Sequence, residues 1–131
     1  MLGELERDGR YIVFDMEAGV GTLLRLQPGH ADVVLVVVDP SAKSIEVARR
    51  AADIASRRAR VIVVANKLRD ETDLDVIREA MEGYELVRVP DDEAIANADR
   101  DGTAPIDVAP DAPGVRALVA LAGRLEPAHS A

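Results

Sequence analysis

The chain has 131 residues, 48% of them hydrophobic and 31% charged, which is one domain's worth of sequence with apolar residues for one core. A formal charge of −8 disfavours wrapping nucleic acid or lying on anionic lipid. With no cysteine and only His30 and His129, the chain has no disulfide framework, thiolate metal site, cysteine nucleophile or multi-histidine site.

Tyr11-Ile12-Val13-Phe14-Asp15 reads as a first strand ending in an acid. Val33 to Val38, followed by Asp39, is a second, β-branched and apolar without alternation. Its six residues form the longest aliphatic run, too short to span a bilayer. Ser41 caps a helix running to about Arg58, with Ile45, Ala48, Ala52 and Ala55 as a narrow apolar stripe. Val61-Ile62-Val63-Val64-Ala65-Asn66 is a third strand. Thr72 caps a second helix, with Asp75 at its third position, and Gly83 ends it. Glu85-Leu86-Val87-Arg88-Val89 is a weaker fourth strand closed by Pro90. Asp91 or Asp92 starts a third helix that Gly102 ends, and the Pro/Asp-rich stretch from Gly102 to Pro113 reads as a loop. Asp111 and Pro113 start a fourth helix, with Val115, Leu118, Leu121, Ala122 and Leu125 as its apolar face; the last five residues are expected to fray. Unbroken aliphatic strands imply burial on both faces, so the expected fold is α/β: a small parallel sheet of about four strands flanked by helices.

Charge is unevenly spread. Residues 1–66 hold nine acidic and nine basic side chains, and residues 67–131 hold fifteen and seven, so the net charge sits in the second half. An acidic solvated face is the expectation there. The first ten residues, with Glu4, Glu6, Arg7, Asp8 and Arg10, do not read as a signal peptide, and a cytoplasmic location is expected.

In open parallel sheets ligands bind beyond the carboxyl ends of the strands. Asp15, Asp39 and Asn66 each close a strand, and the fourth leads into Pro90-Asp91-Asp92. Asp15-Met16-Glu17-Ala18-Gly19 after an aliphatic strand is the hhhhDxxxG pattern of nucleotide-hydrolysing proteins. Its carboxylate suits Mg²⁺ held through water, and its glycine suits close approach to a phosphate. The same residues also make an ordinary strand and turn. Asn66 offers a donor and an acceptor that suit a purine edge, or a loop cap.

Five segments then occur in register: Asp15 to Gly19; Asp39-Pro40-Ser41-Ala42-Lys43-Ser44-Ile45-Glu46; Asn66-Lys67; Val89 to Ile95; and Ala98 to Gly102. Over residues 10–125 the chain resembles the second half of the MinD/ParA-like P-loop ATPases. The wording is closest to the CooC type, nickel-insertion accessory ATPases of carbon monoxide dehydrogenase. The resemblance implies ATP or ADP with Mg²⁺ as cofactor. It implies that Asp15 sits in the second shell of Mg²⁺, that Gly19 lies near the γ-phosphate with Glu17 in the same switch, and that Asn66 contacts adenine. Pro90, Asp91 and Asp92 would form the loop over the base.

The family's first strand and its glycine-rich phosphate loop have no counterpart in these residues. No Gly-Lys dipeptide occurs, and the only lysines are Lys43 and Lys67. Gly19-Val20-Gly21-Thr22 reads as switch-loop sequence, with a degenerate phosphate loop as the alternative. The family's Cys-x-Cys metal site is also missing. The expectation is a single partial domain over 1–131, a phosphate-loop-less half that does not hydrolyse ATP alone. Its expected partners are a second copy or a separately encoded phosphate-loop half. The alternative is a non-catalytic α/β interaction module that has lost nucleotide; a response-regulator-like domain is weakened by the lack of an acidic pair at the first strand. In the resembled family the phosphate-loop strand lies between the strands ending at Asp15 and Asp39. Without it, the Tyr11–Asp15 strand is expected to close up beside Val33–Val38; otherwise that edge is left open.

Overall fold

A computed structural model describes residues 11–16, 21–27 and 29–125. Its first element is a single turn, α1 (Gly21–Leu24). Then β1 (Val33–Val38), α2 (Ala42–Ser56), β2 (Arg60–Leu68), α3 (Glu71–Ala80) and β3 (Glu85–Pro90) alternate. The chain continues through α4 (Glu93–Asp101), a one-turn α5 (Pro105–Val108) and α6 (Pro113–Leu125). The strands form one parallel sheet in the order β1-β2-β3, with Val34 beside Val61 and Ile62 beside Glu85. The fold is therefore α/β with a small parallel sheet flanked by helices, consistent with a P-loop NTPase-like architecture. Among the described residues, no helix is long and apolar enough to cross a membrane.

Strand alternation divides the core between the two faces of the sheet. On one face Val34, Val36 and Val38 of β1 and Val61, Val63 and Ala65 of β2 meet α2 and α3. Helix α2 contributes Ala48, Ala52 and Ala55, whose short side chains let it lie close to the sheet, and α3 contributes Leu74 and Ile77. On the other face Ile62, Val64 and Val89 pack with Leu121 of α6. Each fully buried valine or isoleucine contributes on the order of 1.5–3 kcal/mol.

The helix ends follow local hydrogen bonding. Ser41 caps α2, its hydroxyl accepting from the Ser44 N–H, as the sequence implies. Helix α3 is capped by Asp70 rather than Thr72. The Asp70 carboxylate accepts from the Asp73 N–H at 2.9 Å, and that of Asp73 accepts from the Arg69 N–H at 3.0 Å. Together the two carboxylates satisfy two N–H groups, those of Asp73 and Arg69, at the start of the helix. Asp92 caps α4, and Gly102 ends it at φ 71°, the left-handed conformation that glycine adopts without cost.

Three expectations need correction. Among the described residues the sheet has three strands where about four were expected: Tyr11–Asp15 forms no strand, and Tyr11, Val13 and Phe14 are largely exposed. Strand preference counts only where a ladder partner and packed neighbours exist, and this segment has neither among the described residues. The stretch from Gly102 to Pro113 is not all loop, because Pro105 at the first helical position starts the turn of α5. On α6 the buried line is Gly114, Val115 and Leu121, whereas Leu118 and Ala122 are exposed. The sheet covers a narrower arc of that helix than its apolar content implies. Glu17, Gly19 and the last five residues lie outside the described residues.

Candidate functional site

The three parallel strands bring Asp39, Asn66 and Pro90-Asp91-Asp92 to one edge of the sheet. Each strand reaches that edge differently. Strand β1 ends in a closed polar turn. The Asp39 carboxylate accepts from the Ser41 N–H at 2.9 Å, and the Asp39 N–H donates to the Ser44 hydroxyl at 3.0 Å. The Ser44 N–H in turn donates to the Ser41 hydroxyl at 3.2 Å. The Ser41 hydroxyl first, and its backbone N–H second, hold the Asp39 carboxyl below its ordinary pKa. Burial opposes this shift, and the positive charge of Lys67 supports it.

Strand β2 ends in an irregularity. The pairing register with β3 shifts between Ala65 and Leu68, the signature of a bulge. Lys67 lies inside it at φ 58°, a left-handed conformation that non-glycine residues seldom adopt. Asn66, half-buried, and the exposed Lys67 are thereby presented at the edge. Left-handed backbone held by surrounding structure clusters at functional positions.

Strand β3 is strapped to this bulge. Leu68 pairs with Pro90, and the Asp91 N–H donates to the Leu68 carbonyl at 2.8 Å. The half-buried Pro90 and exposed Asp91 therefore stand beside Asn66-Lys67. Both carboxylate oxygens of Asp92 are engaged. One accepts from the Ala94 N–H at 2.9 Å, the other from the Gly114 N–H at 2.7 Å. One carboxylate thus caps α4 and fastens the start of α6. Gly114 leaves room for this bond: a Cβ there would stand 2.7 Å from Ile95 Cδ1 and 3.0 Å from Asp92 Cβ, so a larger residue would have to shift the Ile95 tip and the Asp92 side chain. The Asp92 carboxylate is a structural clamp on the loop.

Asp15 is exposed and lies in irregular backbone, not at a strand end. Its neighbour Met16 packs against the core and lines an open groove with Val34–Val37 and with Ser41, Lys43 and Ser44 of the α2 start. The structure thus gathers Asn66, Pro90 and Asp91, makes Asp92 a clamp, and leaves Asp15 exposed outside the gathering. Ser41, Ser44, Lys67 and Gly114 complete the edge; the sequence marks Ser41 as the α2 cap and places Ser41, Ser44 and Lys67 in the resembled segments, but nothing in it marks Gly114 as the partner of Asp92 or a lysine for left-handed backbone.

The side chains can hold a flat base more readily than a triphosphate. Asn66 offers an amide donor and acceptor, and Pro90 offers an apolar ring. Among the described residues no group of three or more His, Asp or Glu is placed to hold a metal ion, and no glycine-rich turn carries a lysine. The described donor set does not fit Mg²⁺ with a triphosphate.

A parallel sheet whose polar strand ends converge on one edge is the arrangement of α/β nucleotide-binding proteins. Sequence comparison agrees at a distance: the chain is related to ATP-binding proteins and has a P-loop ATPase-like relationship. It is 28% identical over 102 residues to the carbon monoxide dehydrogenase accessory protein CooC of Rhodospirillum rubrum, covering 76% of this chain and 39% of that protein. It is 30% identical over 108 residues to an uncharacterized ATP-binding protein of Methanocaldococcus jannaschii, covering 78% of this chain and 43% of the other. A second such protein of that organism is 29% identical over 84 residues, 63% of this chain and 33% of its own length. The chain thus spans less than half the length of these relatives. No family model matches it.

Proposed function

We propose that this chain supplies the base end of an adenine-nucleotide site and does not hydrolyse ATP by itself. The observation that carries the reading is the strap between β2 and β3, which sets Asn66 beside the Pro90-Asp91 turn through the Leu68 carbonyl. The Asn66 amide reads the purine edge and Pro90 covers its face, with Asp91 at the rim. The relationship to ATP-binding proteins supports this assignment. Asp15, Glu17 and Gly19 belong to the phosphate side, where Asp15 would stand behind Mg²⁺ once a phosphate loop is supplied by a segment other than these 131 residues. Hydrolysis needs a charge-neutralising cradle on the leaving phosphoryl group, and these residues offer no such loop. The likeness to CooC, named as an accessory protein of carbon monoxide dehydrogenase, makes a nucleotide-dependent role in metal-cluster maturation our assignment of its setting. Without cysteine, the chain would not itself hold nickel through thiolates.

Calorimetry with adenosine, ADP and ATP tests the reading. Adenosine binds no tighter than roughly millimolar, and added phosphates gain little, because the contacts are to the base. Asn66→Ala abolishes the heat without altering the circular dichroism, and phosphate release stays at blank. Micromolar, Mg²⁺-dependent preference for ATP overturns the assignment. A second reading, a non-catalytic interaction module, is favoured by one feature: the outer edge of β1, with which no described residue pairs.

A further inference from the structure

Helix α5 is a turn that the core does not explain. None of its four residues is buried, and Ile106 and Val108 are 56% and 57% exposed. The turn is nonetheless firmly made. Pro105 fixes its start, the Ala109 N–H donates to the Pro105 carbonyl at 2.8 Å, and α5 packs back against α4. The bend between them is fastened at Thr103, whose N–H and hydroxyl both donate to the Ala98 carbonyl, at 2.9 and 3.3 Å. A single helical turn does not persist in water unaided, so its neighbours hold two apolar side chains in the open.

The turn has a definite outer side. Pro105 and Ala109, four residues apart, are half-buried and mark its inner side. Helical spacing then sets Asp107 at the crest, with Ile106 and Val108 on its two flanks. Charge around this crest is one-sided. Residues 91–111 carry seven acidic side chains and one basic, a net −6 of the chain's −8. Elsewhere the chain answers its acids with its own arginines: Asp53, Glu71, Asp73, Asp75 and Glu85 each lie within 3.6 Å of one. Among the described residues no ion pair includes Asp99, Asp101, Asp107 or Asp111, and all four are exposed. No three carboxylates converge there to hold a metal ion, so the surface suits spread positive charge.

We propose that the α4–α5 hairpin is a docking surface for a basic segment of a partner protein, one in which apolar residues flank a lysine or arginine. The basic group meets Asp107, the apolar side chains rest on Ile106 and Val108, and Asp99, Asp101 and Asp111 form the charged rim. Complementary charge draws such a partner in, and the same field repels nucleic acid and anionic lipid. Burial of the two flanks holds the partner once it has arrived. The hairpin is attached at β3, two strands away from β1, and Asp92 ties it to α6. The proposal does not depend on the nucleotide assignment.

Fluorescence anisotropy on the full chain tests it, with a short labelled peptide of lysine, leucine and alanine as the probe. The expected result is micromolar binding that weakens as salt is raised. Combined Ile106→Ser and Val108→Ser substitutions weaken it about tenfold or more, as does the pair Asp99→Asn and Asp107→Asn. A matched control on α3, Val76→Ser with Glu79→Gln and Glu82→Gln, removes as much charge from another exposed surface and leaves binding within about twofold. Replacing leucine by serine in the probe weakens binding like the Ile106 and Val108 variant, and replacing lysine by glutamate abolishes it. Circular dichroism confirms that each variant is folded. Should the serine variant lose its fold, a probe carrying a photoreactive benzophenone is attached to the parent chain by light, and the attachment falls within residues 99–111. No binding of the lysine probe, or attachment outside that segment, overturns the proposal. Equal weakening by the α3 control also overturns it, because net charge alone then explains the binding.

Discussion

Strands β1 and β2 are built from nearly the same residues and meet different fates. In β2, Val61 through Ala65 are buried without a break, because neighbours pair on both sides and helices lie on both faces. In β1, burial alternates: Val34, Val36 and Val38 are buried, and Leu35 and Val37 are exposed. Tyr11-Ile12-Val13-Phe14 extends the series to no pairing and little burial. An apolar run records what a segment can tolerate, and its neighbours decide how much of it is dry. The position in the sheet separates β1 from β2, and composition does not.

The largest effect that sharpens this comparison comes from matched truncations. Ile62 of β2 is fully buried, and Ile62→Ala removes its packing against the α6 side of the core. Unfolding by urea shows a loss of about 3 kcal/mol, from lost transfer energy plus the cavity left behind. Val37→Ala in β1, at 60% exposure, costs less than about 0.5 kcal/mol under conditions where the chain is monomeric. Equal costs would mean that β1 is covered in solution by something other than the described residues.

The ends of the two strands extend the comparison. β1 ends in hydrogen bonds that satisfy its turn, and β2 ends in a bulge that places Lys67 in left-handed backbone. Lys67→Gly removes the steric cost of that conformation but adds freedom to the unfolded chain. The expected net is a stabilisation of about 0.5 kcal/mol, read from the urea midpoint. A destabilised variant would show that the Lys67 side chain, through its charge near Asp39, outweighs the backbone cost.

What the sequence made legible follows the range of the interaction. The helix α2, its Ser41 cap, the Asp92 and Gly102 ends of α4, and the parallel alternation depend on residues a few positions apart. The carboxyl-edge placement of Asp39, Asn66 and Pro90 follows from that alternation. What was not legible is long-range. The hydrogen bond from the Gly114 N–H to Asp92 spans 22 residues, and it turns a presumed ligand-loop carboxylate into a clamp. The choice of Asp70 over Thr72 was local, yet it turned on two linked bonds, Asp73 N–H to the Asp70 carboxylate and Arg69 N–H to the Asp73 carboxylate, that propensity alone does not rank. Tyr11–Asp15 has the pattern of a strand, but among the described residues it has no pairing partner.

The smallest effect lies in the Asp39 turn, and its pH dependence has a definite sign. The folded-state pKa of Asp39 is depressed, chiefly by the Ser41 hydroxyl and then by the Ser41 N–H. A depressed carboxyl binds its proton more weakly in the folded chain than in the unfolded one, so ionisation favours folding. That stability is fully present above the unfolded-state value, about 4 for an aspartate, and is lost as pH falls through the lower folded value. Asp39→Asn keeps an acceptor for the Ser41 N–H but removes the charge. The variant is therefore less stable than the parent at neutral pH, and the two converge as the solution is acidified below the ordinary carboxyl range. Urea titrations at neutral and acidic pH measure the difference. A gap that stays constant across that range would show that the charge on Asp39 contributes nothing, and that the β1 end is held by the geometry of its serine hydrogen bonds alone.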